Sequence, residues 1–228
     1  MDYWYLILVI PALLIAAVAQ IRVKSVFARY SRVPVRCGMS GAEASRFIQR
    51  QNGINVPIRA VSGSMTDFYD PKSNSISLSD TVRDQTSVAA VGVAAHETGH
   101  ALQYANDYFP VRLRMGMVPV TNFASSISPV LIVLGMMLSL PTLAYIGIAL
   151  FSMAVLFQLV TLPVEFNASA RAVRALEQSG SLSDEELRGV RRVLSAAAMT
   201  YVAAMLVSLM NLLRLIAIVA GNGNRRRR

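Results

Sequence analysis

The sequence predicts a mainly α-helical membrane protein that carries a small α+β soluble region. Two bulk properties predict this class: 54% of the 228 residues are hydrophobic and only 15% are charged, both unlike an ordinary soluble domain. The third observation is that the apolar residues form long uncharged runs, with the basic residues lying between them. The net charge of +9 therefore fits a multi-pass membrane protein better than a nucleic-acid-binding protein, whose basic residues would form a surface stripe.

The first element is an uncharged run, residues 3–21, of about the 20 residues that span the hydrocarbon of a bilayer. Asp2 precedes the run, and Arg22 and Lys24 follow it. This order of charges is opposite to that of a cleaved signal peptide. We expect residues 1–21 to be a retained anchor with its N-terminus outside and residue 22 onward in the cytoplasm.

Residues 22–117 are expected to form the soluble region. Ser40 and Glu43 have the spacing of a capping box, which marks a helix start, and Gly53 marks its end. The expected elements are a helix over 41–52, a short strand within 54–63, a hairpin over 64–80 turning at 70–74, and a long helix that starts near Asp80 or a following Ser or Thr.

The second half is mostly apolar. Two uncharged runs, 118–140 and 141–163, meet at Leu140-Pro141, which predicts a transmembrane helical hairpin. Residues 164–228 are expected to hold a charged helix, a fourth apolar helix over 195–220 and a basic tail.

The number of crossings stays open between three and four. Three crossings would place both basic regions on one side, which the positive-inside rule makes cytoplasmic. A full fourth crossing would leave the four terminal arginines outside, and Arg214 interrupts that last run. The arginine tail is expected to contact anionic lipid or to set the orientation of the chain.

The stretch HETGH, residues 96–100, holds both histidines of the chain. Residues i and i+4 of a helix share a face, so His96 and His100 can bind one zinc ion. Glu97 is rotated by about 100° from His96 and can reach the open coordination position, where it would act as general base toward a zinc-activated water. The alternative is a pair of structural histidines on an ordinary helix.

A zinc site needs a third protein ligand, and no further histidine exists. Most of the 13 acidic residues lie in polar turns or at helix caps, whereas Glu165 directly follows a long apolar run in the stretch LPVEFNASARA. Glu165 is therefore the best candidate for the third ligand. A merely interfacial role of this carboxylate is the alternative.

Three stretches, TDFYDPKSNSISLS, AAHETGHALQ and LPVEFNASARA, follow an N-terminal anchor. Together they resemble the bacterial membrane-bound neutral zinc metallopeptidases of the YugP type over nearly the whole chain, and more distantly the HtpX-type and CAAX prenyl proteases. The resemblance implies a zincin-like α+β catalytic domain that faces the cytoplasm. It also implies one Zn²⁺ at His96, His100 and Glu165, with Glu97 as the catalytic base.

Two positions depart from these families. The prenyl-protease relatives carry an aspartate four residues after the glutamate ligand, where this chain has Ser169 with Asn167 nearby. Both residues are candidates for a hydrogen bond that orients a ligand histidine. A serine accepts such a hydrogen bond more weakly than the aspartate of the relatives does. The hairpin of the YugP type usually carries a histidine where Phe68 stands, so a substrate-binding role of that position is in doubt.

A peptidase also needs a donor for the oxyanion and a surface that holds an extended substrate. Tyr69 and Tyr201 are candidates for the donor, although tyrosines more often pack or anchor at an interface. The hairpin's second strand is a candidate for an exposed edge that pairs with a peptide, or else an ordinary strand. This candidate strand consists of Asn74, Ser75, Ile76, Ser77 and Leu78.

The favoured function is a membrane-embedded zinc endopeptidase that hydrolyses membrane-associated or misfolded polypeptides. The alternatives are a non-catalytic scaffold or pseudoprotease that binds membrane-protein partners, and a metal-handling membrane protein. A scaffold has no need of Glu97, and two histidines make a poor transport path. Expected partners are a polypeptide substrate, the lipid bilayer, and a regulatory membrane protein or a second copy, with no nucleic acid. The expected location is the bacterial inner (plasma) membrane.

Overall fold

The computed structural model describes residues 3–224, with side chains through residue 221. Asp2 and the four terminal arginines, on which part of the predicted orientation depends, lie outside the described residues. The elements in chain order are α1 (Ile10–Tyr30, directly preceded by a π-helical turn at Tyr5–Val9), α2 (Gly41–Gln51), β1 (Ile58–Val61), β2 (Phe68–Asp70), β3 (Ser75–Ser79), α3 (Val88–Ala105), α4 (Phe109–Met137), α5 (Pro141–Ser179) and α6 (Asp184–Asn224). The predicted class, mainly α with a small sheet and apolar helices, is confirmed.

Local sequence signals set several helix ends as predicted. At the start of α2, Glu43 Oε2 accepts a hydrogen bond from the Ser40 amide at 2.8 Å, and the Glu43 amide donates to Ser40 Oγ at 3.3 Å. Gly53 follows the helix with a φ of +66°, a conformation that glycine adopts without steric cost. The long helix α3 begins after Ser87, whose hydroxyl accepts a hydrogen bond from the Ala90 amide.

The sheet has the strand order β1-β3-β2, with β1 parallel to β3 and β2 antiparallel to it. The expectation that the strand from Asn74 to Leu78 presents an exposed edge is wrong. β3 is the central strand, paired on both sides, and all five of its residues are buried. The hairpin pattern predicts the pairing of β2 with β3. No signal in the neighbouring sequence predicts that β1 pairs with the other side of β3.

The chain divides into two compact units. The apolar unit contains residues 1–20, 113–162 and 200–228, and the site unit contains residues 21–112 and 163–199. The stretch 164–228, expected above to form one region, is divided between the units. Its first part, the end of α5 and the start of α6, belongs to the site unit.

Within the described part of the chain, four helices are long and apolar enough to cross a membrane: Tyr5–Tyr30, Phe109–Met137, Pro141–Ser179 and Asp184–Gly221. Within the apolar unit, α4 and α5 form the predicted hairpin with a close approach at Gly135 and Gly147. A Cβ at Gly135 would lie 2.4 Å from the Ala144 amide nitrogen. The helices α4 and α5 thus pack almost backbone to backbone.

Within the site unit, α3 lies at the centre of the core. Its residues Val88, Ala89, Ala90 and Val91 are completely buried. Two hydrophobic clusters of this unit both include residues of α2, α3 and α6, and one of them extends to α5 and the other to α1 and the sheet. Small side chains on most faces of α3 let these elements surround it closely.

Candidate metal centre

The metal-site candidates meet between α3 and α5. His96 Nε2 lies 3.4 Å and His100 Nε2 lies 3.6 Å from Glu165 Oε2. One ligand atom from each of the three residues lies within 4.8 Å of the others. Tetrahedral zinc with bonds of about 2.0–2.1 Å separates neighbouring donor atoms by about 3.3 Å. The donor set and its spacing therefore fit one zinc ion.

Gln103 fixes the orientation and the tautomer of His100. The Gln103 amide nitrogen donates to the Val164 carbonyl at 2.7 Å and to Asn167 Oδ1 at 3.0 Å. Because a carbonyl can only accept, Gln103 Oε1 must be the atom that lies 3.0 Å from His100 Nδ1. The proton of the neutral imidazole is thereby held on Nδ1, and Nε2 keeps its lone pair toward Glu165.

Ser169 stands behind the other imidazole. Its Oγ lies 3.1 Å from His96 Nδ1, so the predicted support of a ligand by Ser169 agrees with this contact. Asn167 supports the site less directly, because its Oδ1 accepts hydrogen bonds from Gln103 and from Arg171 Nε at 2.8 Å. Each imidazole therefore has a polar partner on the side away from the metal position.

A glycine brings the two ligand-bearing helices together. A Cβ at Gly99 would lie 2.5 Å from the Ala168 carbonyl oxygen, far inside van der Waals contact. Gly99 lies next to His100 on α3, and Ala168 lies one turn beyond Glu165 on α5. Any side chain at Gly99 would move the α5 backbone, and with it the third ligand, away from the histidines.

The Glu97 carboxylate lies beside the metal position and is nearly buried, with a relative exposure of 9%. Its Oε2 accepts a hydrogen bond from the Tyr69 main-chain amide at 2.9 Å. Because the Tyr69 amide donates to Glu97, it does not point toward Ile76, the partner of Tyr69 in the β2–β3 ladder. The outer edge of β2 consequently runs along the site, next to the expected general base.

The electrostatics of the centre favour a cation. Burial acts to lower the pKa of His100, but the Glu165 carboxylate, which accepts a hydrogen bond from the protonated imidazole, and the charges of Glu97 and Glu165 outweigh burial and raise this pKa above its ordinary value. The pKa of Asp67 on the neighbouring hairpin is also raised, chiefly by burial and further by the charge of Glu97. Several acidic groups therefore share one small volume, as a divalent cation requires.

Comparison with known proteins agrees with this geometry. The sequence model of the family described as "Putative neutral zinc metallopeptidase" matches residues 5–220. The chain belongs to this family. It is 48% identical over 215 residues to a protein of Bacillus subtilis (strain 168) named "Putative membrane protease YugP", with 94% of this chain and 96% of the relative covered. No solved structure matches the chain.

The family membership confirms the resemblance predicted from the three motifs, and the matched residues include all the candidate ligands. A zinc peptidase family and a donor set of zinc spacing agree with each other. The four apolar helices likewise agree with the membrane named in the relative.

The two tyrosines proposed as oxyanion donors differ in position. The Tyr69 hydroxyl donates to Asn74 Oδ1 at 2.9 Å. The group of Tyr69 that contacts Glu97 is its main-chain amide. Tyr201 belongs to the apolar unit, whereas the ligands belong to the site unit. The oxyanion role of either phenol stays a prediction.

Sequence reasoning missed Gln103 and the amide of Tyr69. Gln103 is completely buried in an apolar helix and lies three residues after His100, a spacing that places both on one helix face. That combination was a usable signal. The amide of Tyr69 left no signal, because any residue at this position carries one.

Proposed function

We propose that this protein is a membrane-bound zinc endopeptidase in which Glu97 is the general base. The observation that carries the proposal is the convergence of two imidazoles and one carboxylate at zinc spacing, with a further carboxylate held beside them by a main-chain amide. A structural zinc site is closed by four protein ligands, whereas a catalytic site has three and an open position.

A zinc ion at this position would supply Lewis acidity toward a water molecule and the substrate carbonyl. Glu97 accepts the proton of the attacking water and delivers it to the leaving amine. The Tyr69 amide holds Oε2 of this carboxylate, so Oε1 is the oxygen oriented to exchange the proton. Gln103 and Ser169 keep the two imidazoles aimed at Glu165 throughout.

The substrate is a polypeptide that we place in extended form along the outer edge of β2. This edge, rather than β3, borders Glu97, and main-chain pairing with a sheet edge binds peptides with little sequence requirement. Phe68 on this strand is 47% exposed and offers an apolar contact to a substrate side chain. Such contacts suit membrane-associated or misfolded polypeptides.

The proposed location is the bacterial inner membrane, with the site unit on the cytoplasmic side. The support for this orientation is the distribution of basic residues: residues 115–170 hold none, whereas both stretches that build the site unit are rich in arginine.

The decisive experiment compares wild type with Glu97→Gln in detergent, measuring bound zinc and cleavage of casein. We expect Glu97→Gln to retain one zinc per chain and to lose roughly 100- to 10,000-fold in cleavage rate, the usual contribution of a general base. The matched control is Glu43→Gln, which removes an exposed capping carboxylate of α2.

Full cleavage by Glu97→Gln would disprove the assignment of the base. Zinc binding by wild type without any hydrolysis of casein or of membrane-protein substrates would instead favour the non-catalytic scaffold.

A further inference from the structure

Apart from the candidate metal centre, the site unit contains a polar cavity. It lies between the C-terminal end of α1, the loop that follows it and the first turns of α6. Its volume is about 380 Å³. Four arginines contribute to its lining, and nothing in the proposed peptidase mechanism uses them. They are Arg29, Arg36, Arg188 and Arg192.

The charge of this arginine cavity is positive. Among the described side chains, none of the four guanidinium groups takes part in an ion pair, although ion pairs of other arginines are present. Two carboxylates also lie on the lining, Glu185 and Glu186. That of Glu186 is already used, because it accepts hydrogen bonds from the Arg36 amide at 2.6 Å and from the amide and hydroxyl of Ser183 at 2.6 and 2.8 Å. Four cations therefore face two carboxylates, so the net charge of the lining is still positive.

The cavity is held in shape by contacts of its own. Arg192 donates a hydrogen bond to the Tyr30 hydroxyl at 3.2 Å, and the Arg29 guanidinium lies 5.8 Å from the centre of the Tyr30 ring. The wall beneath is tight, because a Cβ at Gly189 would lie 2.8 Å from the Tyr30 ring and from Val88. Arg29 and Arg192 are thus positioned before any ligand binds, which lowers the entropic cost of binding.

The depth of these arginines along their helices points to a lipid. Arg29 follows Ile21, the last residue of the first apolar run, by eight positions or about 12 Å, and Arg192 precedes the last apolar run by about 4 Å. The polar headgroup layer extends roughly 5–8 Å beyond the hydrocarbon, within reach of arginine side chains at both positions. A guanidinium group can donate two parallel hydrogen bonds to the oxygens of one phosphate group.

We propose that the arginine cavity binds the phosphate group of an anionic phospholipid. The site is independent of zinc and of the peptidase reaction. It anchors α1 and α6 of the site unit to the headgroup layer through a specific contact, in addition to the apolar helices.

The test uses the full-length protein in a non-ionic detergent. Native mass spectrometry measures the binding of phosphatidylglycerol, of phosphatidylcholine and of inorganic phosphate. The variant is Arg36→Gln/Arg188→Gln, since neither guanidinium group forms a hydrogen bond or an ion pair among the described residues. The control is Arg46→Gln/Arg50→Gln, which removes the same charge from the exposed face of α2, and far-UV circular dichroism verifies that each variant is folded.

We expect wild type and the α2 control to bind phosphatidylglycerol in preference to phosphatidylcholine. The cavity variant should bind phosphatidylglycerol about tenfold more weakly or worse, as expected for the loss of two charge-assisted contacts. Equal binding of both lipids, or unchanged binding by a folded cavity variant, would overturn the proposal. Inorganic phosphate binding as tightly as phosphatidylglycerol would also overturn it, because a soluble anion would then be the ligand.

Discussion

Replacing Gln103 by leucine tests whether this buried amide holds the zinc ligands in place. Leucine has a similar volume, so the substitution leaves little cavity, but it removes the acceptor of His100 Nδ1 and the donor to the Val164 carbonyl. The imidazole ring is then free to rotate or to place its proton on Nε2. We expect weaker zinc binding with all three ligands still present.

The magnitude follows from two effects. Loss of a polar partner behind a metal-bound histidine weakens metal binding by about 10- to 100-fold, which equals about 1.4–2.8 kcal/mol. The zinc-free protein is destabilised as well, because a buried group that loses its hydrogen-bond partner costs about 1–3 kcal/mol. Replacing Gln103, which is itself not a ligand, is therefore expected to lower both the zinc affinity and the stability of the zinc-free protein.

The assay is a competition between the protein and a chromophoric chelator for zinc, combined with thermal unfolding of the zinc-free protein. The matched control is Gln49→Leu. Gln49 is also a buried glutamine, whose amide accepts from Val56 N–H at 2.7 Å and donates to Ser45 Oγ at 3.3 Å, and neither partner is a candidate ligand. We expect the control to lose stability and to keep its zinc affinity. Equal zinc affinity in the two variants would refute the role assigned to Gln103.

Substitutions at three further positions test the centre. Ser169→Ala should weaken zinc binding by about tenfold. Ser169→Asp should tighten zinc binding, because a carboxylate accepts the imidazole hydrogen bond more strongly than a hydroxyl does. Chelator competition measures both affinities, and identical values would count against a role of the contact between Ser169 and His96. Gly99→Ala should separate α3 from α5 at Ala168 and lower both the zinc content and the unfolding temperature. The control is Gly116→Ala, which should change neither quantity, because a Cβ at Gly116 meets nothing within 4 Å. Glu165→Gln should abolish stoichiometric zinc by metal analysis, and full retention would remove this residue from the ligand set.

Local signals predicted those parts of the molecule that depend on neighbouring residues. The capping box of Ser40 and Glu43 formed, because a side chain three residues away can satisfy the first amides of a helix. The histidine pair was predictable because four residues are about one helical turn. Pro141 ended one apolar run and began the next helix, as a proline at a first helical position does.

Features that depend on residues far apart in sequence were not predictable in this way. The parallel partner of β3 comes from an earlier strand, which turned the expected edge into the centre of the sheet. Pro163 suggested a boundary, but α5 continues through it to Ser179, so Glu165 lies inside a long rigid helix. The hydrogen bond between Glu97 and the Tyr69 amide involves a main-chain group, which no residue type identifies.

The ligands come from two helices that the ribosome completes at different times. His96 and His100 on α3 are synthesised before α4 and the first half of α5, and Glu165 emerges only afterwards. An unfinished or prematurely terminated chain lacks the carboxylate that completes the metal site. The proposed peptidase activity therefore requires that the hydrophobic hairpin of α4 and α5 has been made first.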